Sequence, residues 1–172
     1  MPRTAVCRTF GLASLILFSP TSVRSEEPKA APIPIAVADF DYTDTSGEPL
    51  DQQAEHRARL QSFVGAIRAS LEQDGRYRVV TLVCRQSPCT AGTSPPDELL
   101  ASASAAGAKR LLYGGIHKMS TLVQNAKVQV VDIKENKVTF DRLITFRGDN
   151  DEAWQRAERF IARDLMSTPP LK

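Results

Sequence analysis

Two stretches decide the fold: Lys127–Ile133 (KVQVVDI) and Val138–Phe146 (VTFDRLITF), with Glu135-Asn136 between them. Both alternate apolar and polar residues. Val138, Phe140, Ile144 and Phe146 fall on one face, and Thr139, Asp141, Thr145 and Arg147 on the other. Period-two alternation around a short polar turn predicts an antiparallel ribbon with one packed and one wet face. A helix crossover in residues 120–147 is therefore not expected.

The pattern differs upstream. Ile33–Phe40 (IPIAVADF) is a near-continuous apolar run, the mark of a buried strand. Asp41–Leu50 (DYTDTSGEPL) is loop chemistry. Leu60, Phe63, Val64, Ile67 and Leu71 then repeat at helical spacing, which predicts a helix over 51–73 stopped by Asp74-Gly75. Tyr77–Val83 reads as a second strand, and Asp97–Ala106 as a short helix ended by Gly107. Leu111–Met119 reads as a third strand, in which Gly114-Gly115 marks a bulge or a close backbone approach. A last helix is expected over 151–166, with Trp154, Ala157, Ile161 and Leu165 inward and Glu152, Arg156, Glu158, Arg159 and Arg163 on a solvated side. The order is β-α-β-α-β-β-β-α. It predicts a single mixed α/β domain over 33–166 with a five-stranded sheet, its first three strands parallel.

The start of the chain reads as an export signal. Arg3 and Arg8 precede a nine-residue apolar run, Phe10–Phe18, too short to span a bilayer. Cleavage after Ser25 is expected, leaving a flexible leader at 26–32 and a tail at 167–172. The segment 1–25 holds three of the 22 basic residues and none of the 20 acidic ones, so 19 bases would face 20 acids in the exported chain. That balance gives no electrostatic ground for a nucleic acid or an anionic membrane as partner. Cys7 precedes the apolar run and so is not at an acylation point. Cys84 and Cys89 remain as an even pair, which in an oxidising compartment reads as a disulfide.

The landmarks resemble the amino-terminal domain of TolB-like periplasmic proteins. The matching pieces are Ile35–Phe40, Gly75–Val80, Ala106-Gly107-Ala108 with Leu111–Ile116, and Val128–Asp132, followed by a terminal helix with an aromatic near its start. A family of small secreted bacterial proteins of unknown function that share this core is the nearer likeness. The resemblance implies the fold and a tendency toward protein–protein contacts in the cell envelope. It brings no catalytic residue, metal or cofactor.

Asp39-Phe40-Asp41-Tyr42-Thr43 matches the D-x-D-x-T signature of haloacid-dehalogenase-like phosphatases. There the first Asp is the nucleophile and the second a general acid/base. Gly148-Asp149-Asn150-Asp151 imitates the late Mg²⁺-holding motif. The expected ribbon at 120–147 and the missing intermediate motifs count against this reading. Asp39, Asp41, Asp44 and Glu48 also lack the spacing of a twelve-residue Ca²⁺ loop. His56, among Glu55, Arg57 and Arg59, is expected to be exposed. His117 sits late in a strand, and neither histidine has a ligand-spaced partner.

The expectation is an exported periplasmic binding or accessory module without enzymatic activity, whose partner is an envelope protein. The ribbon edge at 138–146 would receive a partner's strand, unless Lys134, Lys137 and Arg142 guard it. The alternatives are a phosphatase using Asp39 and Asp41, or a small-ligand carrier with its pocket near the 41–48 loop, at the carboxyl ends of the parallel strands.

Overall fold

The computed structural model describes Met1 and residues 31–169. Apart from Met1, the expected export signal lies outside the described residues, as do residues 26–30 of the leader and 170–172 of the tail. The elements are β1 (Ile33–Val37), β2 (Asp41–Asp44), α1 (Gln53–Asp74), β3 (Tyr77–Val80), α2 (Pro96–Ala105), β4 (Arg110–Lys118), β5 (Val123–Asp132), β6 (Lys137–Arg147) and α3 (Asp151–Ser167).

The sheet runs β3-β1-β4-β5-β6. β1 pairs with β3 and β4 in parallel, and β4-β5-β6 are antiparallel, as the alternation predicts. No helix occurs in residues 120–147. One element is additional: β2 arises within the stretch read as a loop. It continues alongside β4 beyond β1, pairing Asp41–Asp44 with Gly115–Lys118 and bringing the sheet to six strands. The break between β1 and β2, Ala38–Phe40, lies where two strands share one position in the sheet.

α1 and α3 pack side by side on one sheet face. Phe63, Val64, Ile67 and Leu71 of α1 meet Trp154, Ile161 and Leu165 of α3 over Ile35, Leu112, Ile116, Val128 and Phe140. Each fully buried side chain of this size contributes about 1.5–3 kcal/mol. Gly75 ends α1 in the left-handed conformation (φ 75°), as its position predicts. Asn150 caps α3, its side chain accepting from Ala153 N at 2.9 Å. Asp151 and Glu152 complement the helix dipole in the first turn. α2 covers the other face only over β3, β1 and β4, where Leu99 and Ala103 pack on Ala36, Val80 and Leu111.

One local expectation is narrowed to one of its two alternatives, and another needs correction. Gly114-Gly115 is no bulge: β4 pairs in unbroken register through it. It is a close approach, since a Cβ on Gly114 would sit 2.3 Å from Lys127 O and 2.9 Å from the Phe40 ring. The register shift lies instead between Val130 and Val131, opposite Thr139. An extra residue there reverses the facing of everything before it. Phe140, Ile144 and Phe146 therefore pack inward, while Val138 is turned out and is 44% exposed.

Candidate functional site: the carboxyl end of the sheet and its free edge

β1 ends at Val37, and the chain bends outward through Asp39. Its carboxylate is held from two sides. Arg68 Nη2 donates to Oδ1 at 3.2 Å, and Cys89 N donates to Oδ2 at 3.0 Å. Asp39 N in turn donates to Cys89 O at 2.9 Å. Asp41 Oδ2 accepts from Gly92 N at 3.0 Å. Both aspartates thus fasten the 84–93 loop to the sheet. That loop is closed by the Cys84–Cys89 disulfide and by Thr90 and Thr93, whose hydroxyls lie 3.1 Å apart.

Asp149 belongs to a different set. His56 Nε2 lies 2.7 Å from its Oδ2, Arg59 Nη1 donates to Oδ1 at 3.0 Å, and Lys118 Nζ lies 2.7 Å from Oδ2. Gln124 Nε2 donates to Oδ1 at 3.2 Å. The structure does not bring Asp39, Asp41 and Asp149 together: each has its own hydrogen-bond partners. Among the described residues no three His, Cys, Asp or Glu side chains are grouped to hold a metal ion.

Lys118 is the centre of this polar node and is fully buried. Its ammonium donates to Glu48 Oε2 at 2.5 Å and to Gln52 Oε1 at 2.7 Å, besides its contact with Asp149. Three donors meet three acceptors, so its capacity is used. Burial opposes charge on both ions. Even so, the Asp149 and Glu48 contacts hold the Lys118 pKa above its ordinary value. Contacts from Lys118 and His56 likewise hold Asp149 below the usual carboxylate range. Asp44 is also lowered: partial burial opposes its charge, but hydrogen bonds from Ser46 outweigh that, helped by Lys118. Glu48 and Gln52 belong to the 45–52 segment, so Lys118 pins that segment over the sheet end.

His56 is the clearest correction at this end. Expected exposed, it is 3% exposed, stacked on Tyr42 at 4.7 Å between ring centroids, and bound to Asp149. Burial raises the Tyr42 pKa. His117 lies apart from this node, 2.7 Å from Thr45 Oγ1. Between the 45–52 segment and the 84–93 loop lies a cleft of about 640 Å³, lined by Tyr42, Asp44, Leu50, Arg57, Pro88 and Thr93 among others. It lies at the carboxyl ends of the parallel strands, the end at which the small-ligand-carrier alternative would have its pocket.

The second candidate surface is β6. It is an eleven-residue edge strand that pairs only with β5 among the described residues. Of the three expected guards, Arg142 is not projecting freely: it is tied to Asp164 of α3 and lies 5.8 Å from the Phe140 ring centroid. Asp141 is occupied by Lys127 and Gln129 of β5. Leu143, which follows them in sequence, is 60% exposed. Lys134 and Lys137 stand at the turn and at the strand's start.

Residues 34–166 match the model of DUF3280, described as a protein of unknown function (DUF2380). The chain belongs to this family. No curated protein matches it in sequence. The DUF3280 fold is shared with solved structures of low identity. The hypothetical protein CT253 from Chlamydia trachomatis is 16% identical over 80% of this chain and 98% of its own, with a TM-score of 0.53. The PelC dodecamer from Paraburkholderia phytofirmans is 15% identical over 84% and 92%, with a TM-score of 0.51. TolB from Acinetobacter baumannii is 15% identical over 84% of this chain and 30% of its own; its TM-score of 0.46 is too low to carry an argument. The DUF3280 chain is thus a single mixed α/β unit of uncharacterised family, as its landmarks implied. No helix among the described residues is long and apolar enough to cross a membrane.

Proposed function

We propose that this chain is an exported, non-enzymatic binding module of the bacterial envelope that receives a partner's strand along β6. The observation that carries the reading is the eleven-residue edge, paired on one side. Two mid-strand charges turn to partners within the molecule instead of guarding it. Backbone groups on such an edge supply affinity, and alternate side-chain positions supply selectivity. The same fold in PelC occurs in a dodecamer, which supports a role in assembly.

The test places a photo-crosslinking residue at Leu143 in the full chain and recovers adducts from the envelope fraction. The reading expects one dominant protein adduct, abolished by Val138→Lys with Thr145→Lys, two exposed-side changes that add edge charge without touching the core. It is overturned if the adduct survives those changes, or if the processed chain stays in the cytoplasm.

A second reading, a small-ligand carrier, is favoured by the 640 Å³ cleft, which falls within the range of about 300–1,000 Å³ for small-molecule sites. Native mass spectrometry of the gently purified protein tests it. A bound mass displaced by Thr93→Trp, which fills the cleft, supports it, and a bare chain mass refutes it.

A further inference from the structure

A separate groove of about 350 Å³ follows the seam between α1 and α3, on the outer side of the helical layer. Ala58, Ser62 and Ala66 recur every four residues on α1 and keep that wall low. Trp154, Gln155 and Glu158 rise from α3 opposite them. Glu158 was read from sequence as part of a solvated face. Instead it is 7% exposed, four residues beyond Trp154 and three before Ile161, inside the packed stripe of α3.

Its carboxylate has no hydrogen-bond or ion-pair partner among the described residues. Burial pushes its pKa up, against the pull of Arg159 next to it on α3. The one cation lining the groove, Arg59, is already engaged. It donates to Asp149 at 3.0 Å and to Asp151 at 2.8 Å. Glu55, on the same wall, also lacks a cationic partner. Trp154, on the opposite wall with Glu158, lends the groove its indole face; its Nε1 is enclosed and without an acceptor. The Glu158 stem is enclosed while its oxygens keep a small contact with solvent, and a partly desolvated carboxylate with no protein partner is a ready anchor for a cation.

We propose that the α1–α3 groove binds a small organic cation, an ammonium or amidinium group on an apolar or aromatic body, with Glu158 as its ion-pairing anchor. The groove's excess acid selects the charge. Its low wall of Ala58, Ser62 and Ala66, beside Phe63 and Trp154, admits a flat apolar body. A hard metal ion does not fit: it would want several oxygen ligands at once, and Glu55, Asp151 and Glu158, although they all line the groove, are not grouped to hold one. The volume, near the lower bound for small-molecule sites, limits the ligand to a compact one.

The probe is benzamidine, titrated into the isotopically labelled full chain and followed by amide and indole resonances. The expected result is saturable shifts of the Trp154 indole N–H and of the Ala58 and Ser62 amides. Neutral benzamide, of the same shape, should bind at least about tenfold more weakly, as a lost charged hydrogen bond requires. Glu158→Gln should lose benzamidine to the same degree while raising the melting temperature of the free protein, because it removes a desolvated charge. Ser62→Leu, at an exposed position, keeps the carboxylate but fills the trough, and should block binding on its own. The proposal is overturned if benzamidine and benzamide bind alike, if the shifts map outside the groove, or if both variants retain wild-type affinity.

Discussion

Replacing Lys118 by methionine tests whether the polar node holds the sheet end together. Methionine keeps the length and packing of the stem and removes the ammonium. Glu48, Gln52 and Asp149 each lose a donor. Removing one member of a buried ion pair costs about 3–5 kcal/mol, because the remaining charge is stranded. Two features place the expected loss near the lower end. Asp149 keeps Arg59 and His56, and the Glu48 side chain, 21% exposed, can turn toward water. A loss of about 3 kcal/mol, with a urea dependence of about 2 kcal/mol/M, lowers the unfolding midpoint by about 1.5 M.

The pH dependence gives a second reading of the same variant. In the wild type, Asp149 is held below its unfolded value. It therefore stabilises the protein above about pH 4, and that contribution is lost as pH falls through the folded value. Lys118 is held above its unfolded value. Its contribution is present below about pH 10 and is lost as pH rises through the folded one. The variant should show no alkaline loss from this site and a smaller acid one. A midpoint shift under about 0.5 M, with an unchanged pH profile, would refute the assignment of Lys118 as the organising charge.

Further outcomes are expected. Gly114→Ala forces a methyl into Lys127 O and the Phe40 ring, and should cost at least about 1–3 kcal/mol; an unchanged melting temperature would contradict the close approach. Cys84→Ser with Cys89→Ser opens a loop of sequence separation 5 and should cost about 2 kcal/mol, and proteolysis should then cut within 84–93 first. Asn150→Ala removes the cap of α3 and should cost about 1 kcal/mol by denaturation, against no measurable effect if Ala153 N finds another acceptor.

The ribbon, the parallel strands and the helices were legible because each is written within its own segment, as a repeat, an unbroken apolar run or a stop residue. β2 was not. Asp41-Tyr42-Thr43-Asp44 carries turn chemistry, and it becomes a strand only because β4 extends past β1 and offers Gly115–Lys118 as partner. Val138 was misplaced for a similar reason: the irregularity opposite Thr139 belongs to the pairing of two strands, not to either one alone. The polar node left a signal that was not used. Lys118 shares the inward parity of Leu112 and Ile116, and Gln124 that of Ala126 and Val128. His56 lies four residues before Leu60 on the inward stripe of α1. A polar residue repeated into an apolar face forecasts a buried polar partner, although its identity, here Asp149, comes only from the fold.

The short reach of α2 divides the molecule into two mutational territories. Beneath α1 and α3 the strands bury Ile35, Leu112, Ile116, Val128 and Phe140 in one core, so a change there is felt by several neighbours at once. On the far side of β5 and β6, beyond α2, Lys127 and Gln129 hold Asp141, and Thr145 donates to Asn125, at the solvent boundary. Drift on that wet side is nearly free. It is where this architecture can be given new surface preferences, by selection or by design, while its folding stays as it was.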